Sequence, residues 1–384
     1  MSVALCHTPY GDFRLAPFPA RHREQLKGWG AADLLLLESA AALGLQGPAL
    51  LVVNDAHGAL CCALQPLAHW TDSKLSQRAM LRNQQRNGLA ATPVVWSVDD
   101  PPAASVAVMR IPKQLDYLVH QLQALNRALP EGALLLAAGM DKHLSPRSAE
   151  LIERYFGPTQ RHRGQKKARV FSARNSRSGN SAHDSDSNHA APAGSVEATA
   201  QYVCELAGGV LTSRPNVFSG QGLDQGSRLL LQYLHRVHPA QVCIDLACGN
   251  GVLGLAAFRQ KLARRVLFCD ESAMAVACAR DNAQRLYDRG RDAFEFVHAD
   301  GLNTITRASA QIVLCNPPFH RGHTLDTFTG QRLVRQCARH LPADGQLLMV
   351  TNNHLPYLPL LRRHFSHAER VGADRRYDVL LARQ

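Results

Sequence analysis

Short apolar runs alternate with longer mixed stretches along this chain, and they do so twice in the same order. In the second half the run QVCIDLA (241–247) leads into a glycine-rich turn, GNGVLG, and then a helical stretch. Asp270 then opens the long helix ESAMAVACARDNAQRL, the run IVLCNPPF ends at a proline pair, and VRQCARHLPADGQLLMVTN reads as helix, turn and strand. The first half repeats the plan as ALLVVND into AHGALCCAL, Asp72 before SKLSQRAMLRNQQRNG, VAVMRIPK, and QLQALNRALPEGALLLAAG. Matched points lie roughly 190 to 215 residues apart, which is the signature of a duplicated domain. Strands alternating with helices at this spacing predict parallel βαβ units. The expected fold class is therefore α/β, with two tandem doubly wound, Rossmann-like folds. Ligands of such sheets sit beyond the carboxyl ends of the strands.

The pattern breaks once, in SARNSRSGNSAHDSDSNHAAPAGS (Ser172–Ser195), which is almost free of large apolar residues and cannot bury enough surface to fold. It predicts a first domain over 1–171, a linker or insertion over 172–200, and a second domain over 201–384. A basic cluster, Arg161, Arg163, Lys166, Lys167 and Arg169, precedes the break. It reads as a solvated face or as an RNA contact.

Composition narrows the function. The 384 residues are 46% hydrophobic, ample for two cores, and carry a formal net charge of +12. A small-metabolite enzyme has no need of that excess, whereas a protein approaching a polyanion does. Ten cysteines lack any C-x-x-C spacing, which suits buried thiols in a reducing cytoplasm. The H-x-x-H pairs His235/His238, His320/His323 and His364/His367 lack a cysteine set or an H-E-x-x-H context, so no metal is expected. No apolar run reaches membrane-spanning length. The chain is expected to be a soluble, cytoplasmic monomer.

Chemistry concentrates in the second half. Gly249-x-Gly251-x-x-Gly254 alone also fits a dinucleotide fingerprint. Asp245, just before those glycines, would repel a pyrophosphate but suits an ammonium and a cationic sulfonium, the charges of S-adenosylmethionine. Asp270 is placed to accept from both ribose hydroxyls, and Asp300 from the adenine amine. Asn316-Pro317-Pro318-Phe319 is the most specific motif. The Asn316 side-chain oxygen and the Pro317 carbonyl would hold the two N–H bonds of a planar amine and turn its lone pair towards a methyl donor. Pro317 and Pro318 fix the carbonyl's direction, and Phe319 offers a stacking face to an extruded base. In the first half Gly58 stands where the second has three glycines, and Ile111-Pro112-Lys113 where the second has Asn316-Pro317-Pro318. That copy is expected to be degenerate.

With the box Asn316–His320 in place, the second half resembles the ribosomal RNA methyltransferases carrying N-P-P-F-H. The whole chain resembles the 23S rRNA guanine-N2 methyltransferase G family, through GWGAADLLLLES (Gly28–Ser39), GPALLVVNDAHGAL (Gly47–Leu60), Ile111–Lys113 and PNVFSGQGLDQGSRLLL (Pro215–Leu231). The resemblance covers roughly residues 10–170 and 205–384, outside the Ser/Asn-rich stretch. It implies two class I methyltransferase folds, the first inactive and helping to hold RNA, the second active with S-adenosylmethionine on a guanine of 23S rRNA. It also implies that Phe218, Ser219, Gly222 and Asp224 lie near the cofactor or the base. Ala247-Cys248 departs from the commoner glycine-flanked loop. Other planar amines remain open: 16S rRNA guanine-N2, adenine-N6 or a protein glutamine amide. So does a non-catalytic RNA-binding assembly role.

Overall fold

A computed structural model describes residues 3–20, 26–176, 200–218, 222–318, 320–321, 324–325 and 327–384. The chain forms two compact units, one reaching Glu197 and one starting at Ala198. The first contains β1 (Ala4–Thr8), β2 (Gly11–Leu15), α1 (Ala31–Ala42), β3 (Leu50–Val53), α2 (Ala59–Leu64), β4 (Ala68–Thr71), α3 (Lys74–Arg86) and β5 (Val94–Trp96). It continues with β6 (Val106–Arg110), α4 (Leu115–Ala128), β7 (Leu134–Met140), α5 (Ser148–Tyr155), β8 (Thr159–Arg161) and β9 (Ala168–Arg174). The second repeats this order. It opens with β10 (Ala200–Cys204), β11 (Gly209–Ser213), α6 (Gln225–Gln232), β12 (Ala240–Leu246), α7 (Val252–Arg259), β13 (Ala263–Asp270), α8 (Ala273–Leu286) and β14 (Phe294–His298). Then come β15 (Ile312–Cys315), the two-residue strands β16 (His320–Arg321) and β17 (Thr324–Leu325), α9 (Thr327–His340), β18 (Gln346–Asn352), α10 (Tyr357–Arg362), β19 (His367–Ala373) and β20 (Tyr377–Arg383).

Each unit is built on a seven-stranded sheet, ordered β5-β4-β3-β6-β7-β9-β8 in the first and β14-β13-β12-β15-β18-β20-β19 in the second. The first five strands in each order pair in parallel and the last two pairings are antiparallel, so that only β9 and β20 run against the rest. A parallel strand covered on both faces needs an unbroken apolar run. In β3, Leu50 and Val52 feed one core while Leu51 and Val53 feed the core on the opposite face. All ten cysteines are buried and free.

Strand register corrects two expectations. Val53 pairs with Trp70 and Met109, as Leu246 pairs with Cys269 and Cys315. The residue corresponding to Asn316 is therefore Arg110, one earlier than the proline-based match to Ile111 suggests, and Thr71 rather than Asp72 corresponds to Asp270. The expected linker also starts too early. Ser172, Ala173 and Arg174 are the end of β9, paired to β7. The buried Asn175 side chain then donates to the carbonyls of Asn126 (3.1 Å) and Leu129 (2.9 Å) and accepts from the Asn126 amide (2.7 Å). Small, polar residues hide a strand whose stability comes from its partners. The remainder of the expected linker, 177–199, lies outside the described residues.

Candidate active site

The chemistry-bearing residues meet at the carboxyl ends of β12, β13 and β15. Gly249 and Gly251 take φ of 54° and 85°, the left-handed region in which a side chain is strained. Gly254 answers a different need. A Cβ there would stand 2.5 Å from the Phe268 ring and 3.0 Å from the Asp245 Cβ, so only glycine lets α7 approach the strand. That approach brings the Gly254 amide to Asp245, whose Oδ2 accepts from it at 2.8 Å.

Asp245 is fully buried, and burial, with the nearby Asp270 charge adding, pushes its carboxyl up to about 8. Among the described residues nothing donates to its buried Oδ1. An acidic group held this way gains most from a cationic neighbour, which would restore its ionised form. Asp270 ends β13; its Oδ2 accepts from the Gly249 amide at 3.0 Å and its Oδ1 from Ser272 at 3.0 Å. The side chain is only half-buried and closes on the glycine turn from the neighbouring strand. An unsatisfied buried carboxylate oxygen, a second carboxylate at the next strand end and a left-handed glycine turn fit a ligand with ammonium, sulfonium and ribose groups.

Asp300 is brought to the same edge but is already engaged. It is buried, ion-paired with Arg332 of α9, and its backbone carbonyl accepts from Asn303 at 2.8 Å. Arg332 was not foreseen, because it lies on a helix separated from Asp300 by the whole N-P-P-F segment.

Asn316 follows β15 directly. Its Nδ2 donates to Asp224 Oδ1 at 3.2 Å and to Ser227 Oγ at 3.0 Å. An ionised carboxylate can only accept, so it fixes which end of the amide faces it. Asn316 Oδ1 is thereby turned the other way. Asp224 does double duty, since its side chain also caps α6 by accepting from the Ser227 amide at 3.1 Å. Gly226 sits close to this contact, a Cβ there falling 3.1 Å from Asp224 Oδ1, tighter than usual, and at an ordinary 3.5 Å from both Asn316 amide atoms. Ser227 was missed by the sequence reading; the small D-Q-G-S opening of α6 is the signal that would have found it. Pro317 is buried and Pro318 exposed. Phe218 is 70% exposed and Gly222 takes a φ of 152°. Phe319 and Ser219 lie outside the described residues.

A second layer holds the glycine turn in shape. Asn282 of α8 donates to the Asn250 carbonyl (3.0 Å) and to the Thr212 carbonyl (2.9 Å), and accepts from the Thr212 amide (2.9 Å) and Arg285 (2.7 Å). The Asn250 side chain in turn donates to the Tyr202 hydroxyl at 2.9 Å. The β10–β11 hairpin is thus tied to the turn through side chains far apart in sequence.

Comparison with known proteins agrees with this geometry. Residues 4–177 match the RLMG N-terminal domain and residues 208–381 the methyltransferase small domain. Ribosomal RNA large subunit methyltransferase G of Alcanivorax borkumensis is 35% identical, over 97% of this chain and 95% of its own length. The protein of the same name from Streptomyces avermitilis is 36% identical over 98% of both. The fold is shared, at a TM-score of 0.74 and 21% identity over 100% of this chain and 98% of the other, with a T. thermophilus 16S rRNA guanine-N2 methyltransferase solved with AdoMet and guanosine. With family models spanning both units and relatives matched end to end, the chain belongs to the ribosomal RNA large subunit methyltransferase G family.

Proposed function

We propose that this chain transfers a methyl group from S-adenosylmethionine to the exocyclic N2 amine of a guanine in 23S rRNA. The observation that carries this reading is the fixed amide of Asn316. With its nitrogen held by Asp224 and Ser227, its oxygen is left as an acceptor beside the Pro317 carbonyl. An aromatic amine is a poor nucleophile because its lone pair is spread into the ring. Two acceptors holding its N–H bonds favour the pyramidal geometry of attack, an interaction realised most fully in the transition state. The cofactor supplies an electrophilic methyl on a cationic sulfur. Asp245 and Asp270 would hold its ammonium and ribose ends, and Phe319 would stack on the guanine. Asp300, already paired with Arg332, would line the adenine pocket beside the amine. The names of the full-length relatives support a large-subunit target, and guanosine in the T. thermophilus enzyme supports the base.

In the same reading the first unit holds RNA and does no chemistry. Val52, Thr71 and Arg110 stand where the second unit has Asp245, Asp270 and Asn316. A calorimetric titration should find one cofactor site per chain. Single-turnover transfer to 23S rRNA, with product nucleosides read by mass spectrometry, tests the chemistry. N2-methylguanosine is expected from the wild type. Asn316→Ala should lose turnover by orders of magnitude at nearly unchanged cofactor affinity. N6-methyladenosine as product would overturn the substrate, and near-normal turnover of Asn316→Ala the mechanism.

A further inference from the structure

The basic cluster of the first unit is organised by a hairpin that breaks a local rule. Strands β8 and β9 are joined through residues 162–167, and at the tip of the hairpin Gln165 and Ala168 exchange both backbone hydrogen bonds, at 2.9 and 2.8 Å. The two residues between them are Lys166 and Lys167, with φ of 49° and 62°. Positive φ at both central positions marks a type I′ turn, whose favoured residues are Asn-Gly. Two long, β-carbon-bearing cations in left-handed backbone are a poor choice for the turn itself. Such local strain is characteristic of a site kept for another purpose.

The surroundings point to a polyanion. Arg161, Arg163, Lys166, Lys167 and Arg169 are all exposed. Among the described residues only Arg169 meets a carboxylate, Asp141 at 3.4 Å. The Asp141 amide is bonded to the Lys167 carbonyl, so Lys142 extends the same patch. Lys113, three residues beyond the end of β6, is pushed down from the usual lysine range by burial and then by the Lys142 charge. Because Ala168 pairs with Met140, the last residue of β7, this corner stands at the carboxyl edge of the parallel strands, the edge at which the second unit assembles its active site.

The second unit carries the same device by different means. Tyr377 pairs with Asn352, the last residue of β18, as Ala168 pairs with Met140. The turn there is Asp374-Arg375-Arg376-Tyr377, in which the Asp374 side chain accepts from the amides of Arg376 and Tyr377 at 2.7 Å each. Neither arginine has positive φ, and both are exposed. Turn chemistry differs between the copies, and a pair of cations stands at the corner in both.

We propose that the cation pairs at these two hairpin corners, Lys166-Lys167 and Arg375-Arg376, are phosphate contacts for the RNA substrate. This rests on the reading that rRNA is the substrate. The decisive variant is Lys166→Asn/Lys167→Gly in the full chain. It installs the residues the turn prefers, so the melting temperature should hold or rise, while two charges are lost. Binding of a 23S rRNA transcript is measured across a salt series. The variant should bind about ten-fold more weakly at moderate salt, and the slope of log K against log salt should become shallower by about 1.4 to 1.8, the release expected from two phosphates. Arg375→Gln/Arg376→Gln should behave alike, and Lys166→Gln/Lys167→Gln keeps the test sharp should the Asn-Gly turn alter folding. Cofactor affinity should not change in any of them. Unchanged rRNA affinity and slope in these variants, beside a wild type that binds and methylates the transcript, would overturn the corners alone. A wild type that neither binds nor methylates the transcript would instead bring down the substrate reading and the corners with it.

Discussion

The two units share element order, sheet order and register, yet only one carries a set of groups suited to chemistry, and the substitutions that separate them are few. At the position of Asp245 the first unit has Val52, and at that of Asp270 it has Thr71. Asn316, with acceptors from α6, is replaced by Arg110, ion-paired with Asp33 of α1. In the first glycine turn Asp55 folds its own carboxylate onto the amides of Gly58 (2.8 Å), Ala59 (3.1 Å) and Cys61 (2.8 Å). That side chain fills the turn from within. The tie that shapes the turn, in contrast, is kept. Asn83 donates to the carbonyls of His57 (2.7 Å) and Ala16 (2.9 Å) and accepts from the Ala16 amide (3.0 Å) and Arg86, as Asn282 does with Asn250, Thr212 and Arg285. Groups that would meet a ligand have been lost, and groups that satisfy buried backbone have not. The comparison therefore sorts architecture from chemistry without any external reference.

The strongest way to break it is to write the first unit's residues into the second. Asp245→Val with Asp270→Thr should weaken cofactor binding by more than a hundred-fold, since each lost charge-assisted bond is worth roughly 1.5–3 kcal/mol. Unchanged affinity by calorimetry would show that these carboxylates were never the distinction. A smaller effect is expected at α6. Asp224→Gly keeps most of the helix cap but removes an acceptor from Asn316, and combined with Ser227→Ala it frees the amide to flip. Single-turnover transfer should fall by about ten-fold or more with cofactor affinity unchanged, while Asp224→Asn, whose oxygen can still accept, should retain most of the rate. Equal damage from Asn and Gly would assign the role to charge instead. The retained tie should cost stability in both units: Asn83→Ala and Asn282→Ala each strand buried groups worth about 1–3 kcal/mol. Only the second should also loosen the cofactor.

The mildest test is pH. The Asp245 carboxyl, normal when unfolded and raised to about 8 when folded, makes folding take up a proton. Its contribution to stability is fully present below about pH 4 and is lost as pH rises through 8. Asp245→Asn lacks that loss, so its melting temperature should gain on the wild type by a few degrees between pH 6 and 9. A constant gap across that range would contradict the buried, proton-retaining carboxyl.

The parallel strands, the duplication and the carboxylates of the second unit were legible because they are local: apolar runs, a glycine turn and strand-end acids lie within a few residues of one another. What was not legible depends on distance. Ser227 reaches Asn316 across 89 residues and Asn282 reaches Thr212 across 70. Ser172–Asn175 read as linker because their burial is conferred by β7 and Asn126, not by their own side chains. The proline in VAVMRIPK invited a match one residue out, since sequence aligns by the conspicuous residue and sheets align by hydrogen bonds.

The pairing of Arg110 with Asp33 also limits what the first unit can become. Both partners are largely withdrawn from solvent, with side-chain exposures of 22% and 8%. Replacing Arg110 alone by the asparagine found at its place in the second unit strands a carboxylate, and replacing Asp33 alone strands a guanidinium; removing one member of a buried pair costs about 3–5 kcal/mol. A change at either member of the pair alone is thus destabilising, and an amide can stand at 110 as it does at 316 only when both are exchanged together. The pair acts as a lock with two keys, closing the interior of the first unit to one-residue exchange while leaving its surface free to vary.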